Sequence, residues 1–335
     1  MPISKKTEKE KQEKALSCAW QKNSMKLEPP MHTFSIVARD PKTGEIGVAV
    51  QSHWFSVGTV VPWAEAGVGA VATQSFADPS YGPRGLALMR SDKSAPEALK
   101  ELIAADAGEA MRQVAMLDAK GRVAVHTGKR CIECAGHKIG DGYSVQANLM
   151  LNDKVPAAMA KAFEETHGDL AERMMVALDA AQKVGGDIRG RQSAAMVVVK
   201  AQSSGKLWTD HVVDLRVEDH PEPLKELRRL LNLKQAYDHM NAGDDAMEKN
   251  DVTQAVEEYG AAMKLAKGNV EIAFWRAFTL TIKGKVDQAV PVFKKVFAAD
   301  KNWVEVLRRL PKAGLISDND AGRSLLQRIL KEAGG

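Results

Sequence analysis

The chain has 335 residues, of which 44% are hydrophobic and 27% are charged, as is usual for a globular protein with room for two or three domains. Its 47 basic and 43 acidic residues nearly balance, and only 5% of the residues are aromatic, so the composition disfavours nucleic-acid binding. No run of about 18 apolar residues occurs, and we therefore expect no membrane-spanning helix.

Residues 1–31 form a polar, charged segment that lacks the apolar centre of a secretory signal. We expect this leader to be disordered or loosely helical. Three cysteines, Cys18, Cys131 and Cys134, are too few for a disulfide framework in a chain of this size. These features predict a cytoplasmic protein, although a secreted chain without its signal would show the same pattern.

Residues 32–218 predict an α+β domain in which strands and helices alternate in groups. Strands are predicted for TFSIVARD and EIGVAVQSH, joined by a tight turn, and for GVGAVATQS. A helix follows over 81–106, with Ser94 as an N-cap inside it. The remaining predictions are a hairpin over 112–128, a strand over 142–150, one long helix or two over 155–186, and strands over 193–201 and 206–217.

Several of these strands are apolar at nearly every position, for example GVGAVA and AAMVVV. Such strands must be covered on both faces. Two stacked sheets with helices outside would cover them, and so would one sheet with helices on both faces.

From residue 219 to 335 the sequence becomes helical in character and contains an internal repeat. VTQAVEEY starts at Val252 and VDQAVPVF starts at Val286, so equivalent residues are 34 positions apart. This is the tetratricopeptide period, and it predicts an all-α tetratricopeptide-like domain. The alternative is a pair of amphipathic helices that are similar by chance.

Thr33, at the head of the first predicted strand, is the first candidate for chemistry. A threonine hydroxyl is a poor nucleophile unless a base removes its proton, and an N-terminal threonine can use its own α-amine, whose pKa is about 8. The alternative is that Thr33 is simply a β-branched strand residue.

Three long stretches resemble a known family. They are TFSIVARDPKTGEIGVAVQSHWFSVGTVVPWAEAGVGAVATQSFADPSYGPRGLALM, RCIECAGHKIGDGYSVQANLM and GGDIRGRQSAAMVVV. Over residues 33 to about 216 the sequence resembles a bacterial family of N-terminal-nucleophile (Ntn) hydrolase-like proteins known as domain of unknown function 1028. The resemblance implies a four-layer α/β/β/α sandwich, in which active enzymes cleave amide bonds with the first residue of the first strand.

The implied fold also indicates where helper groups lie, because the end of the second strand returns beside the nucleophile in an antiparallel hairpin. The implied catalytic residues are Thr33, Ser52, His53 and Asn148. The implied substrate-binding residues with polar groups, which could line an oxyanion hole, are Gln51, Ser75, Gln146, Asp187, Arg189 and Gln192. Trp54 would form an apolar wall of the pocket; the alternatives for it are a core position or a contact between subunits. For each helper taken singly, a structural hydrogen bond is the alternative.

The sequence departs from the expected pattern just before Thr33. Members of the family that begin Met-Thr could expose the threonine when the initiator methionine is removed. Here His32 lies between Met31 and Thr33, so exposure of the threonine amine needs a cut after His32.

Cys131-x-x-Cys134-x-x-His137, with His126 nearby, has a spacing that a zinc site can use. Zinc sites usually combine two separated pairs of ligands, and no second pair follows. We therefore predict two reduced thiols, no metal and no cofactor.

Together these features predict an Ntn amidohydrolase that acts on a small amide or a peptide-like C–N bond. Its helical tail would bind a protein partner or assemble a homo-oligomer, and neither nucleic acid nor membrane is an expected partner. The alternative is a non-catalytic binding or scaffold protein that keeps the fold and has a blocked N-terminus.

Overall fold

The structure is a computed structural model that describes residues 33–249 and 251–335. The leader predicted for residues 1–31, together with Cys18 and His32, lies outside the described residues. The predicted mixture of α and β structure is confirmed, with two antiparallel sheets followed by a helical C-terminal region. The chain divides into two compact units between Leu224 and Lys225.

The N-terminal unit contains all the strands that the structure describes. In chain order they are β1 (Thr33–Arg39), β2 (Ile46–Ser52), β3 (Pro62–Glu65), β4 (Gly69–Ser75), β5 (Arg112–Asp118), β6 (Val123–Thr127), β7 (Gly136–Gly140), β8 (Tyr143–Ala147), β9 (Ser193–Val199) and β10 (His211–Val217). The six-stranded sheet has the order β10-β9-β2-β1-β8-β7, and the four-stranded sheet has the order β3-β4-β5-β6. The two sheets stack, as one of the two predicted arrangements requires.

Helices and short turns connect the strands. They are α1 (Tyr81–Arg90), α2 (Ala95–Ala104), α3 (Val155–Glu165), α4 (Leu170–Lys183), α5 (Leu207–Asp210), and the 3₁₀ turns Val57–Thr59 and Glu109–Met111. Helices α1 and α2 pack on the outer face of the four-stranded sheet. Helices α3 and α4 pack on the outer face of the six-stranded sheet, where Gly47 of β2 lets the Met174 side chain approach the strand closely.

The core between the sheets is built from small and β-branched side chains. Val37, Val48 and Val197 of the six-stranded sheet meet Ala72 and Leu117 of the four-stranded sheet, and all five are buried. These apolar strand residues alternate with residues that face the helices, so both faces of each central strand are covered.

Several predicted elements have different bounds. The helix predicted over 81–106 is two helices, because Asp92 adopts a left-handed φ of 68° and Ser94 starts a new helix with a capping box. For 155–186, the second of the two predicted alternatives is observed, with two helices that end and begin on either side of Gly168. The strand predicted over 206–217 begins with α5, and β3 and β7 were not predicted.

The C-terminal unit is helical, and α6 (Pro223–Glu248) leads into it. The helices that follow are α7 (Val252–Leu265), α8 (Val270–Ile282), α9 (Val286–Ala299), α10 (Asn302–Arg309) and α11 (Asp320–Ala333). Helices α7, α9 and α11 each have 14 residues, and their first residues are 34 positions apart. The spacing found in the sequence between Val252 and Val286 therefore continues to a third helix. No helix among the described residues is both long enough and apolar enough to cross a membrane.

The N-cap residues of these three helices are also 34 positions apart, but only two of them cap their helix with a side-chain hydrogen bond. The Asp251 side chain accepts from the Gln254 N–H at 3.0 Å, and the Asn319 side chain accepts from the Gly322 N–H at 2.9 Å. Lys285 occupies the same position before α9 and has no side-chain acceptor for this bond. The first turn of α9 therefore lacks the cap that its two counterparts have.

We expect Lys285→Asp to stabilise α9, because an N-cap oxygen and a negative charge at a helix N-terminus together contribute about 1 kcal/mol. The measurement is hydrogen exchange of the first-turn amides of α9, with Asn319→Ala as the matched variant that should weaken α11 by about the same amount. Faster exchange in α9 of Lys285→Asp would contradict the prediction.

Candidate active site

The inward face of β1 changes from apolar to polar toward its first residue. Because successive strand residues face opposite sides, Thr33, Ser35 and Val37 face the four-stranded sheet. Val37 belongs to the apolar core, whereas Ser35 Oγ donates to Gln74 Oε1 of β4 at 2.6 Å. We call the buried side chains at this end of the two sheets the polar layer: Thr33, Ser35, Ser52, Gln74, Gln113, Gln146 and Asn148.

Thr33 is fully buried and lies opposite Ser52 in the β1–β2 register. Its hydroxyl donates to Ser52 Oγ at 3.2 Å. Its carbonyl oxygen accepts from the Asn148 backbone N–H at 3.1 Å, from Asn148 Nδ2 at 3.4 Å and from Gln74 Nε2 at 3.3 Å. Donors from both sheets therefore hold the main chain of Thr33.

Gln113 of β5 connects the groups that hold Thr33. Its Oε1 accepts from Gln74 Nε2 at 2.8 Å and from Asn148 Nδ2 at 2.9 Å. Its Nε2 donates to the Ala147 carbonyl oxygen at 3.0 Å and to Thr127 Oγ1 at 3.0 Å. Both ends of this buried amide are satisfied, and it orients the two side chains that donate to Thr33.

Gln146 and Ser35 extend the polar layer along β1 and β8. Gln146 Nε2 donates to Ser35 Oγ at 2.6 Å, and Ser144 Oγ donates to Gln146 Oε1 at 3.1 Å. Ser35 passes the chain of bonds on to Gln74. Gln146 therefore joins the layer through Ser35, and neither of these two bonds involves the Thr33 hydroxyl.

The sequence reasoning missed three members of the layer, Ser35, Gln74 and Gln113. A signal for them exists in the alternation of each strand, because each occupies a position whose neighbours two residues away are apolar core residues, such as Val37, Ala72 and Ala115. A polar residue on the buried face of a strand needs partners, and the partners here come from the opposite sheet.

Asp187, Arg189 and His53 form a separate group where β2 ends. Asp187 is buried and accepts from the His53 backbone N–H at 3.1 Å. Arg189 donates to it from Nη2 at 2.7 Å and from Nε at 3.1 Å. The His53 ring is partly exposed, and its Nδ1 is buried without a hydrogen-bond partner in the structure. The Asp187–Arg189 ion pair therefore lies next to His53, the residue that follows Ser52.

The structure does not bring the other predicted residues to Thr33. Gln51 alternates with Ser52 and faces the helix-covered side of the sheet, where both of its amide atoms are buried without partners. The Gln192 amide donates to Asp219 at 3.1 Å, and Trp54 packs against the core between the sheets. Ser75 follows Gln74 in a left-handed conformation, with a φ of 70° and a buried hydroxyl that lacks a well-placed partner.

The Cys131–Cys134 loop lies at the same end of the sheets. The Cys131 thiol is 3.3 Å from the Arg112 carbonyl oxygen, and burial raises the pKa of this thiol. His137 Nδ1 is 2.9 Å from Thr127 Oγ1, while burial and the neighbouring His126 lower the pKa of the His137 ring. Within residues 33–249 and 251–335, no three His, Cys, Asp or Glu side chains cluster closely enough to hold a metal ion.

Comparisons with known proteins agree with the extent of this unit. A family model described as "Family of unknown function (DUF1028)" matches residues 33–227. A crystal structure of a DUF1028 protein from Silicibacter pomeroyi is 29% identical with a TM-score of 0.54, and the match covers 60% of this chain and 84% of that one. Anbu (ancestral beta-subunit) from Yersinia bercovieri is 12% identical with a TM-score of 0.29, over 59% of this chain and 93% of that one. No curated protein matches. Every residue of the polar layer lies within the range of the family model.

We expect Gln113→Leu to destabilise the N-terminal unit by about 3 kcal/mol, because it leaves several buried polar groups unpaired at about 1–3 kcal/mol each. The measurement is hydrogen exchange of those β5 and β8 amides that exchange only through global unfolding, since their rates report the free energy of unfolding. Thr127→Val is the matched control. It removes the bonds of Thr127 Oγ1 to Gln113 Nε2 and to His137 Nδ1, and it should cost only about 1 kcal/mol because Gln113 Nε2 keeps its bonds to the Gly136 and Ala147 carbonyl oxygens. Equal losses in the two variants would show that Gln113 has no special role.

Proposed function

The chain belongs to DUF1028, a family of unknown function, and from the arrangement around Thr33 we propose that it is an Ntn amidohydrolase acting on a small amide or a peptide-like C–N bond. The observation that carries the proposal is the position of Thr33. It begins the first strand that the structure describes, its side chain lies between two stacked sheets, and its hydroxyl is hydrogen-bonded to Ser52 at 3.2 Å.

The layered arrangement supports this reading. In the proposed Ntn sandwich, two antiparallel sheets stack, helices cover their outer faces, and the nucleophile begins a central strand. Here β1 is central in the six-stranded sheet, with β2 on one side and β8 on the other. The strand that carries the nucleophile is therefore held on both edges.

The proton acceptor is the second requirement. Ser52, Gln74 and Asn148, which bond to Thr33 in the polar layer, offer a hydroxyl and two amides, and these groups do not accept a proton near neutral pH. An α-amine on Thr33 itself would fill this role, because it is attached to the same residue and its pKa is about 8. The proposal therefore includes a cut between His32 and Thr33.

In the proposed reaction, Thr33 Oγ attacks the amide carbonyl carbon and its proton passes to the Thr33 amine. The C–N bond then breaks, the amine leaving group takes that proton, and an ester to Thr33 Oγ remains. Water hydrolyses this ester, giving a carboxylic acid and restoring the hydroxyl. We propose Ser52 Oγ and Asn148 Nδ2 as donors to the oxyanion; the long 3.4 Å bond from Asn148 Nδ2 to the Thr33 carbonyl is the easiest to exchange.

The remaining predicted residues enter the proposal in lesser roles. His53, Asp187 and Arg189 would line the substrate entrance at the end of β2, and Ser75 would offer its buried hydroxyl. The C-terminal unit is proposed to be tetratricopeptide-like and to recruit a protein partner, supported by the 34-residue spacing of α7, α9 and α11. A cytoplasmic location stays a prediction.

The test is a chain that begins at Thr33, released from a cleavable tag, assayed against a panel of amides. We expect hydrolysis whose rate rises with pH through the pKa of the new amine, because only the neutral amine can accept the proton. Thr33→Ala in the same trimmed form should lose activity, Thr33→Ser should retain part of it, and the untrimmed chain should show little.

Thr73→Val is the matched control, because it removes another buried threonine hydroxyl, one that donates to the Asp78 carbonyl oxygen at 3.0 Å. It should leave the activity largely unchanged. Full activity of the untrimmed chain together with a harmless Thr33→Ala would refute the mechanism. Absence of turnover by the trimmed chain would favour the non-catalytic binding protein.

A further inference from the structure

The six-stranded sheet ends at β10, and one edge of this strand is unpaired in the part of the chain that the structure describes. After an irregularity between His211 and Val213, the pairing with β9 is regular from Val213 to Val217. An unpaired edge of this kind offers backbone donors and acceptors to another strand. Five regular residues of β10 are available for such pairing.

The charges on β10 lie on one face. Asp214 and Arg216 pair with Val197 and Ala195 of β9, which face the core between the sheets, so the two charged side chains share that face. The four-stranded sheet ends at β3 and leaves a cleft of about 350 Å³ there, lined in part by Trp63 and both charged residues. Their side chains are 41% and 42% exposed, and Arg216 Nε is 3.5 Å from Asp214 Oδ1.

Among the registers that pair at least three of the five regular residues of β10, this charge pattern is self-complementary in one. If two copies of β10 pair antiparallel about a two-fold axis at Leu215, Asp214 of each copy lies opposite Arg216 of the other. Opposite charges on facing strand residues stabilise the pair, and like charges destabilise it. An axis at Asp214 would place two carboxylates together, and an axis at Arg216 would place two guanidinium groups together. The charges therefore select the register centred on Leu215.

A second feature lies at the same edge. Helix α5, immediately before β10, exposes 68% of Leu207 and 80% of Trp208. This turn is ordered by Asp210, which accepts from Ser203 Oγ and from the Ser204 N–H, each at 2.9 Å. Large apolar side chains held exposed on an ordered turn are typical of protein interfaces, where tryptophan is enriched among the strongest contacts.

We propose that the chain forms a two-fold symmetric homodimer by antiparallel pairing of β10 with β10 of a second copy, in the register centred on Leu215. The pairing joins the two six-stranded sheets edge to edge, and the Leu207–Trp208 turns lie at the two ends of the joined strands. This contact is isologous, so it closes at two copies. The inference does not depend on the proposed catalytic function.

The experiment is a charge exchange in the full chain, measured by sedimentation equilibrium. The wild-type protein is expected at twice the chain mass of 36.4 kDa. Asp214→Arg alone places like charges opposite each other at both symmetric contacts, and so does Arg216→Asp alone. Each should raise the dimer dissociation constant by about 10- to 100-fold. The double variant D214R/R216D restores opposite charges and should return the constant close to the wild-type value.

Two further variants complete the test. Lys161→Glu reverses an exposed charge on α3 and should leave the dimer unchanged, since the Lys161 side chain is 72% exposed and lies outside β10. Trp208→Ser should weaken the dimer, and circular dichroism should show that every variant is folded. The proposal is overturned if the wild-type chain is a monomer at about 100 µM, if a single reversal leaves the dimer intact, or if the double variant fails to restore it.

Discussion

An unpaired end of a buried amide costs free energy, and Gln113 finds partners for both its oxygen and its nitrogen on strands of both sheets. This requirement fixes the registers of β4, β5 and β8 relative to one another at the end where Thr33 lies. A slip of one residue in any of these strands would turn its polar side chain toward the helices and leave the others unpaired. The position of Thr33 therefore depends on how the two sheets stack, in addition to the hairpin that contains it.

The polar layer consists of hydroxyl and amide groups, while the charged groups stay at its edge. Burying an unpaired charge between the sheets would cost roughly several kcal/mol, whereas burying neutral groups that hydrogen-bond to one another costs little. At the edge of the layer, the buried Asp187 carboxylate is paired with the Arg189 guanidinium, which remains partly exposed to solvent. The layer has hydrogen-bond donors in fixed positions, and in the proposed reaction the main chain or the substrate would have to supply the acid–base chemistry.

Local patterns predict a large part of the fold, because hairpins, helix caps and helix periods depend on residues that are close in sequence. The capping box at Ser94 and the repeat at Val252 and Val286 are examples. The third helix of the series was not recognised, since DAGRSLLQ shares almost no residues with its counterparts. Strand β3 is four residues long and starts with a proline, so its pattern is too short to detect. The convergence of Gln74 and Gln113 on Thr33 depends on the stacking of sheets, which no local pattern contains. Gln51 is adjacent to Ser52 in sequence and therefore lies on the opposite face of β2.

Groups from two sheets hold the carbonyl oxygen of Thr33, and this bears on the proposed cut between His32 and Thr33. Cleavage of the preceding peptide bond would alter only the nitrogen side of this residue, because every hydrogen bond to its carbonyl oxygen comes from Asn148 or Gln74 in the bonds described above. The newly formed terminus would therefore appear in a site that is already assembled. If the proposed cut occurs, it would therefore need no refolding step, and the trimmed form would emerge at the rate of the cut itself.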